Sequence, residues 1–345
     1  MMKNVLHNLF PAIALMVFSI TANAQEGLGP FMANDGGQIA TAWSNAYGPD
    51  AESWITFSRV GSQTFDINYS SSRGTKAIRR IQVEDSATAR TLVLGYHPKM
   101  PLEMLGTTVL GISSTLLEEI RNNGSASASL IYDANLNSMD GAFTLSDPKA
   151  KFSLRLGGKV VEVPALIAIG QFQGRNKQAK GTFVFLNNKN NPVLLEYSIS
   201  FTGEKIPRAE RVVGVTPGEG QRDALEQALS TIGKFRTYGV HFDFDKATIR
   251  STSNALIDDM AETMQNNPLW TLLITGHTDS IGKESYNEKL SRARAKSLKS
   301  ALVKRGISPD RLTTAGAGAS TPVAANKTLE GRALNRRVEL QRTDR

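Results

Sequence analysis

Alternating apolar and polar residues recur through the first two thirds of the chain, and they predict strands with one face buried. The alternation is clearest at residues 54–57, 65–69 and 152–156. Residues 182–186 and 193–197 have the same character and flank an asparagine-rich segment that ends in proline. Because that segment has the composition of a tight connection, the two runs predict a β-hairpin. The first part of the chain is therefore expected to be rich in β-structure.

One helix is expected inside this β-rich part and two in the last third of the chain, after a short lead-in helix at residues 223–232. The first covers residues 115–122 and is stopped by Gly124, because glycine favours the left-handed conformation found after helices. The second has apolar residues at helical spacing. Its predicted core positions are Leu256, Ile257, Met260, Ala261 and Met264. The third covers residues 286–305, where Ser285 and Glu288 form a capping box at its start.

Strands are expected around these last helices, at residues 238–244, 270–275, 312–315 and 338–341. The β-α-β-α-β spacing predicts an α/β sandwich with helices packed on a mixed sheet. The fold class is therefore α+β, with a β-rich, soluble N-terminal domain followed by this sandwich. The expected boundaries are 1–24 for a signal peptide, 25–201 for the β-rich domain, 202–221 for a linker rich in glycine and proline, and 222–345 for the C-terminal domain.

The N-terminus has the pattern of a cleavable export signal. Residues 9–20 are mostly apolar, and Ala22-Asn23-Ala24 fits the small-x-small cleavage rule, so the mature chain is expected to begin at Gln25. The 345 residues include no cysteine and carry a net charge of +8. Disulfides and thiol nucleophiles are therefore excluded. The basic balance favours anionic partners, and export favours a cell-wall polymer or an acidic lipid surface over nucleic acid.

An acid and a base frame the start of the third helix. Asp279 follows a predicted strand, and Arg294 lies within ~40° of Leu290 on the helical wheel, near the middle of the apolar stripe. A buried guanidinium needs a fixed acceptor, and Asp279 is the natural candidate. With Thr278 and Asn287 adding neutral hydrogen bonds, this pair suits a zwitterionic ligand. A salt bridge that only holds the loop to the helix stays open as the alternative.

Several short motifs occur together and in a fixed order in the last third of the chain. They are Val240-His241-Phe242-Asp243-Phe244-Asp245, Gly276-His277-Thr278-Asp279 with Gly282, Asn287 with Leu290-Ser291 and Arg294-Ala295, and Gly331-Arg332-Ala333 with Asn335-Arg336-Arg337-Val338-Glu339. Together they resemble the OmpA-like peptidoglycan-binding domain of Gram-negative envelope proteins, which also includes the wall-binding domains of Pal and of motor stators. The N-terminal part resembles no family in this way.

The resemblance implies non-covalent binding of peptidoglycan through the diaminopimelate residue of its stem peptide. It puts the aspartate and the arginine of the ligand clamp on Asp279 and Arg294. The supporting positions fall on Thr278, Asn287, Leu290 and Arg336, and the loop after the first strand falls on Phe244 and Asp245. The resemblance also implies a location in the periplasm, bound to the cell wall, with association with the outer membrane as one version.

The expected role is a tether and not an enzyme, without catalytic residues, cofactor or metal. His241 and Asp243, with His277 and Asp279, have side chains of the kind that bind zinc, but they are interpreted as incidental polar residues at strand ends. Two alternatives stay open, an outer-membrane barrel protein with the same wall-binding domain and a wall hydrolase targeted by it. A part in a larger envelope machine is a third. The N-terminal domain is expected to contact another envelope protein.

Overall fold

The computed structural model describes residues 37–45, 48–60, 62–156, 159–190, 192–216 and 221–344. The signal peptide predicted at 1–24 lies outside these residues. The N-terminal part forms one 12-stranded sheet. Its strands are β1 (Gln38–Asn45), β2 (Gly48–Arg59), β3 (Thr64–Ser71), β4 (Lys76–Gln82), β5 (Thr91–Val93), β6 (Thr107–Thr108), β7 (Ser125–Ile131), β8 (Ser138–Leu156), β9 (Lys159–Gln173), β10 (Gln178–Leu186), β11 (Leu194–Phe201) and β12 (Arg208–Thr216).

The strands follow the order β4-β3-β2-β1-β12-β11-β10-β9-β8-β7-β5-β6. Most neighbours are antiparallel, as expected for strands joined by short connections. One additional parallel pairing joins two strands within this order, with Val215 of β12 opposite Leu156 of β8. The predicted hairpin is confirmed, since β10 and β11 are antiparallel with Phe183 opposite Tyr197.

Two helices are inserted between these strands, α1 (Val83–Thr88) and α2 (Ser114–Asn123). The second confirms the helix expected at residues 115–122. Ser113 caps it, because its side chain accepts a hydrogen bond from the Leu116 amide at 3.3 Å and so satisfies one amide of the first turn. Gly124 follows the helix with a φ of 76°, as predicted.

The segment predicted as a linker, residues 202–221, differs from the structure over β12. This strand pairs with both β1 and β11 and buries Val212 and Val215. Gly214 lies at a β-bulge and does not interrupt the strand. Ala40 lies opposite Gly214 whereas Thr41 lies opposite Val212, so one extra residue is accommodated at that point.

Aromatic packing dominates one of the two apolar clusters in the N-terminal part. Phe143 of β8 is fully buried and meets the rings of Phe172, Phe183 and Phe185 edge-on, with centroids 5.3, 5.1 and 5.4 Å away. Each such contact adds ~0.5–1.5 kcal/mol beyond the burial of area. The cluster also takes up the apolar face of α2, whereas the second cluster joins β1–β4 to β8 and β12.

The C-terminal part alternates helices and strands. They are α3 (Gln221–Thr231), β13 (Lys234–Thr237), α4 (Asn254–Asn266), β14 (Leu272–Gly276), α5 (Glu284–Val303), β15 (Leu312–Gly316), α6 (Leu329–Asn335) and β16 (Val338–Arg342), with short 3-10 turns at Ser251–Ser253 and Pro309–Arg311. None of the helices in the described part of the chain is both long and apolar enough to cross a membrane.

The C-terminal sheet has the order β13-β16-β14-β15. β14 and β15 are parallel while the other pairs are antiparallel, so the predicted mixed sheet with packed helices is confirmed. The apolar positions predicted for α4 are all buried. The fold class is α+β, as the sequence indicated.

The first strand of this sheet lies earlier than predicted. β13 ends at Thr237, and the expected strand 238–244 forms a single antiparallel bridge, between Phe242 and Ile249. Val240 is buried in the core of the C-terminal part and Phe242 packs against that core, whereas Phe244 is 39% exposed. His241, which lies between these apolar positions, stacks on Trp54 of β2 with ring centroids 4.1 Å apart, so this run packs between the C-terminal core and the N-terminal sheet and does not extend the strand.

We predict that Phe143→Ala lowers the free energy of unfolding by ~3–5 kcal/mol, because the cavity left among three rings cannot collapse completely. Urea denaturation followed by circular dichroism measures this change. Leu105→Ala is the control, since Leu105 is 74% exposed and its truncation should change stability by no more than ~0.5 kcal/mol. Equal stability of the two variants would contradict the packing account.

Candidate functional site

The loop after β14 is pressed closely against α5. A side chain at Gly276 would bring its Cβ to 2.2 Å from the carbonyl oxygen of Ser291, so only glycine fits there. The loop then turns at Asp279, whose Oδ1 accepts a hydrogen bond from the Ile281 amide at 2.9 Å. This geometry buries Asp279 and fixes its carboxylate, leaving Oδ2 directed to other partners.

Asn287 sets the position of the loop relative to the helix. Its buried side-chain amide donates to the carbonyl oxygens of Asp279 and Ile281 at 3.2 and 3.1 Å. The capping box expected from Ser285 and Glu288 is wrong, because α5 begins at Glu284 and its N-cap residue makes no side-chain capping bond. Asn287, one turn inside the helix, ties helix and loop together instead.

Asp279 pairs with Arg336, and not with Arg294 as the spacing had indicated. Arg336 Nη1 donates to Asp279 Oδ2 at 2.5 Å. The sheet explains this pairing, since β14 and β16 are antiparallel with Gly276 opposite Val338. The residues that follow β14 and those that precede β16 therefore lie next to each other, at the same end of the two strands.

Arg294 approaches the same place from α5 without a carboxylate partner among the described residues. Its Nε donates to the carbonyl oxygen of Lys246 at 3.1 Å, and its guanidinium lies 5.0 Å from the ring centroid of Phe242. Burial lowers the pKa of Arg294, and the charge of Glu52 opposes this effect more than that of Asp279 does. The group stays a cation with hydrogen-bonding capacity to spare.

A second carboxylate reaches Arg336 from the N-terminal sheet. Glu52 of β2 accepts a hydrogen bond from Arg336 Nε at 2.9 Å. Burial alone would lower the pKa of Arg336, but the charges of Glu52 and Asp279 outweigh it and raise that pKa above its usual value. The sequence carried no signal for this contact, because 284 positions separate the two residues.

Two buried polar atoms beside these charges lack a hydrogen-bond partner among the described residues. They are Thr278 Oγ1 and Arg336 Nη2. A buried polar group without a partner costs roughly 1–3 kcal/mol. The two atoms therefore mark a place where a polar ligand would recover hydrogen bonds that the protein itself leaves unmade.

Residues 244–245 form a loop that lines one side of the candidate site. Asp245 has a φ of 57°, and its Oδ1 accepts a hydrogen bond from the hydroxyl of Tyr286 at 2.7 Å. Phe244 is 39% exposed, and its amide donates to the carbonyl oxygen of Ser72 in the N-terminal part at 2.7 Å. The loop is thus held between α5 and the N-terminal sheet.

All the site residues predicted from the sequence line one cavity of about 420 Å³ between the two parts. They are Phe244, Asp245, Thr278, Asp279, Asn287, Leu290, Arg294 and Arg336. The opposite wall belongs to the N-terminal sheet and includes Asp50, Glu52 and Trp54. The structure therefore brings the predicted residues together, while their role in binding stays a prediction.

The two histidines near the cavity make packing and hydroxyl contacts. His241 Nδ1 lies 3.0 Å from Thr252 Oγ1, and His277 Nδ1 lies 3.0 Å from Thr321 Oγ1. Burial is the main cause that lowers their pKa values, to about 3 for His241 and about 4 for His277. Within the described residues, no group of three or more His, Asp or Glu side chains could hold a metal ion.

Residues 241–336 match a family model described as OmpA family. The chain is 50% identical over 100 residues to outer membrane protein A of Bordetella avium, which covers 29% of this chain and 52% of that protein. It is 29% identical over 213 residues to the peptidoglycan-binding protein ArfA of Mycobacterium bovis, over 61% of this chain and 60% of that one. The peptidoglycan-associated lipoprotein from Burkholderia pseudomallei aligns at 31% identity over 30% of this chain and 88% of that chain, with a TM-score of 0.29.

The chain therefore carries an OmpA family domain at residues 241–336. The alignments span less than two thirds of both curated relatives, about half of the first. Every predicted site residue from Phe244 to Arg336 lies inside the matched range, whereas Glu52 lies outside it. The OmpA family domain therefore forms one wall of the cavity, and a separate part of the sequence forms the opposite wall.

We predict that acid destabilises the packing of His241 on Trp54. An unfolded histidine has a pKa of ~6.5, so between that pH and about 3 the unfolded chain binds more protons and stability falls as pH falls. At pH 5 the loss for this residue is about 2 kcal/mol. Thermal melts from pH 7 to 5 should show a shallower pH dependence for His241→Phe, which keeps the stacked ring.

The control for this experiment is His97→Gln, which removes an exposed histidine outside the cavity. It should keep the pH dependence of the unaltered chain. If His241→Phe melts with that same dependence, protonation of His241 does not set the acid sensitivity.

Proposed function

We propose that this chain binds peptidoglycan non-covalently through its OmpA family domain and tethers itself to the cell wall. The names of two matched proteins support this reading, since one is described as peptidoglycan-binding and another as peptidoglycan-associated. The relatives named above are described as binding or outer membrane proteins and not as enzymes. We therefore propose a non-enzymatic role in the periplasm, with the N-terminal part available to another envelope protein.

The observation that carries the proposal is the convergence of charges at the cavity. Arg294 and Arg336 offer guanidinium groups, Asp279 offers a carboxylate, and Thr278 Oγ1 is buried without a partner in the described structure. A ligand with a carboxylate and an ammonium on one carbon matches this arrangement. The carboxylate would meet the guanidinium groups by charge-assisted hydrogen bonds, and the ammonium would meet Asp279.

Diaminopimelate in the stem peptide of peptidoglycan has this chemistry. Its side chain ends in an amino-acid group that is left free when the other end is built into the peptide. We propose that this end enters the cavity, with Asp279 and Arg294 as its principal partners. Asn287 and Leu290 hold the wall of the site, and Phe244 with Asp245 borders its mouth.

We predict that Asp279→Asn and Arg294→Ala each weaken retention on purified sacculi by at least about 30-fold, because each leaves an opposite charge uncompensated in a partly buried site. Co-sedimentation over a range of sacculus concentrations measures the change. The matched controls are Asp310→Asn and Arg292→Ala, two exposed positions of the same domain. Equal retention of all these variants would contradict the proposed function.

A second prediction concerns the ligand. Retention should fall about tenfold or more on sacculi whose stem peptides carry lysine in place of diaminopimelate, because lysine keeps the ammonium but lacks the second carboxylate that a guanidinium would bind. Free diaminopimelate should compete for binding, while cadaverine at the same concentration, which has the two ammonium groups but no carboxylate, should not. Equal retention on both kinds of sacculi would exclude recognition of that carboxylate while leaving wall binding intact.

A further inference from the structure

The carboxylate of Glu52 occupies a position that the C-terminal domain leaves open. Glu52 lies on β2, and its side chain is 25% exposed where it accepts the hydrogen bond from Arg336 Nε. Asp50, two positions earlier and on the same face of the strand, pairs with Arg332 of α6. The N-terminal sheet thus presents two acids in a row to the arginines of the OmpA family domain.

The charges around Arg336 balance only when Glu52 is counted. The C-terminal domain brings Arg294 and Arg336 to the carboxylate of Asp279, whereas its other two arginines on the cavity, Arg236 and Arg337, are paired with Glu339. The nearby Asp245 is exposed and engaged by Tyr286, and Asp243 pairs with Arg250 at 2.7 Å. The domain alone is therefore one carboxylate short at this point, and Glu52 supplies it.

The contacts around Glu52 also cover the cavity on one side. Ser72 holds the amide of Phe244, and Trp54 stacks on His241, so β2 and the β3–β4 turn lie directly against the domain. A stem peptide attached to a glycan strand needs access past these residues. A ligand carboxylate that enters the cavity therefore meets Arg336 where Glu52 is already bonded to it.

We infer that Glu52 is an internal stand-in for the ligand carboxylate, which keeps the wall-binding site closed until the N-terminal sheet moves away. This inference rests on the proposed function. Glu52 and the ligand carboxylate make the same kind of bond to the same cationic site, so they compete for it. By linkage, anything that holds the N-terminal part away from the domain raises the affinity for the wall, and wall binding favours the separated arrangement.

The test is a titration of the full-length chain with a soluble disaccharide–tripeptide that contains diaminopimelate, followed by isothermal calorimetry. Glu52→Gln removes the competing charge and keeps the shape of the side chain. We expect it to bind about tenfold tighter, the effect of losing one charge-assisted hydrogen bond from the closed state. Glu52→Ala, which also removes the hydrogen-bonding group, should bind at least as tightly.

The matched control is Glu84→Gln, which removes the same charge from an exposed position of the N-terminal part. It should bind like the unaltered chain, which separates competition at the site from a general gain in positive charge. Thermal melts confirm that each variant is folded. Binding by folded Glu52→Gln and Glu52→Ala that equals the unaltered chain overturns the inference, and weaker binding by both would instead make Glu52 a ligand contact.

The two proposals fail in different ways in this experiment. If neither the unaltered chain nor the Glu52 variants bind the muropeptide, the proposed function itself is wrong. If all of them bind with one affinity, wall binding stands and only the competition by Glu52 is refuted. A chain that binds only after Glu52 is replaced would support both proposals together.

Discussion

The arrangement of the two parts depends on the partly buried guanidinium of Arg336. It donates to Asp279 of its own domain and to Glu52 of the N-terminal sheet. An unpaired charge in such a place costs several kcal/mol, so neither acceptor is lost without a replacement. The requirement fixes β2 against the OmpA family domain, and the pairing of Asp50 with Arg332 extends the same contact along the strand.

The fold of the OmpA family domain brings the charged residues around Arg336 close together. Because β14 and β16 are antiparallel, the loop that carries Asp279 and the turn that carries Arg336 lie at the same end of these two strands. Helix α5 brings Arg294 to that end, and Asn287 ties the helix to the loop through two backbone carbonyls. Three separate elements therefore present their charges without help from the N-terminal part, and only the final carboxylate comes from outside.

The sequence predicted the features that depend on near neighbours. The alternation of apolar and polar residues predicted the hairpin of β10 and β11, the helical spacing of apolar residues predicted α4, and Gly124 predicted the end of α2. The predictions differ from the structure where residues far apart in the sequence pair with each other. The bulged strand β12 resembled a linker, since its partners lie far away in the chain. Asp279 was matched to Arg294 within one loop and helix, because only the sheet register reveals Arg336. Glu52 was invisible for the same reason.

The two carboxylates on Arg336 are not equivalent, and their difference bears on exchange with a ligand. The side chain of Asp279 is 11% exposed and that of Glu52 is 25% exposed, so Glu52 is the acceptor that water replaces at lower cost. On the proposed function, a ligand carboxylate that takes its place makes the same kind of bond to Arg336 and also meets Arg294, which has no carboxylate partner among the described residues. A zwitterionic ligand brings in addition an ammonium for Asp279, which Glu52 cannot supply. The preference for the bound arrangement therefore depends on both charges of the proposed ligand, the carboxylate at Arg294 and the ammonium at Asp279.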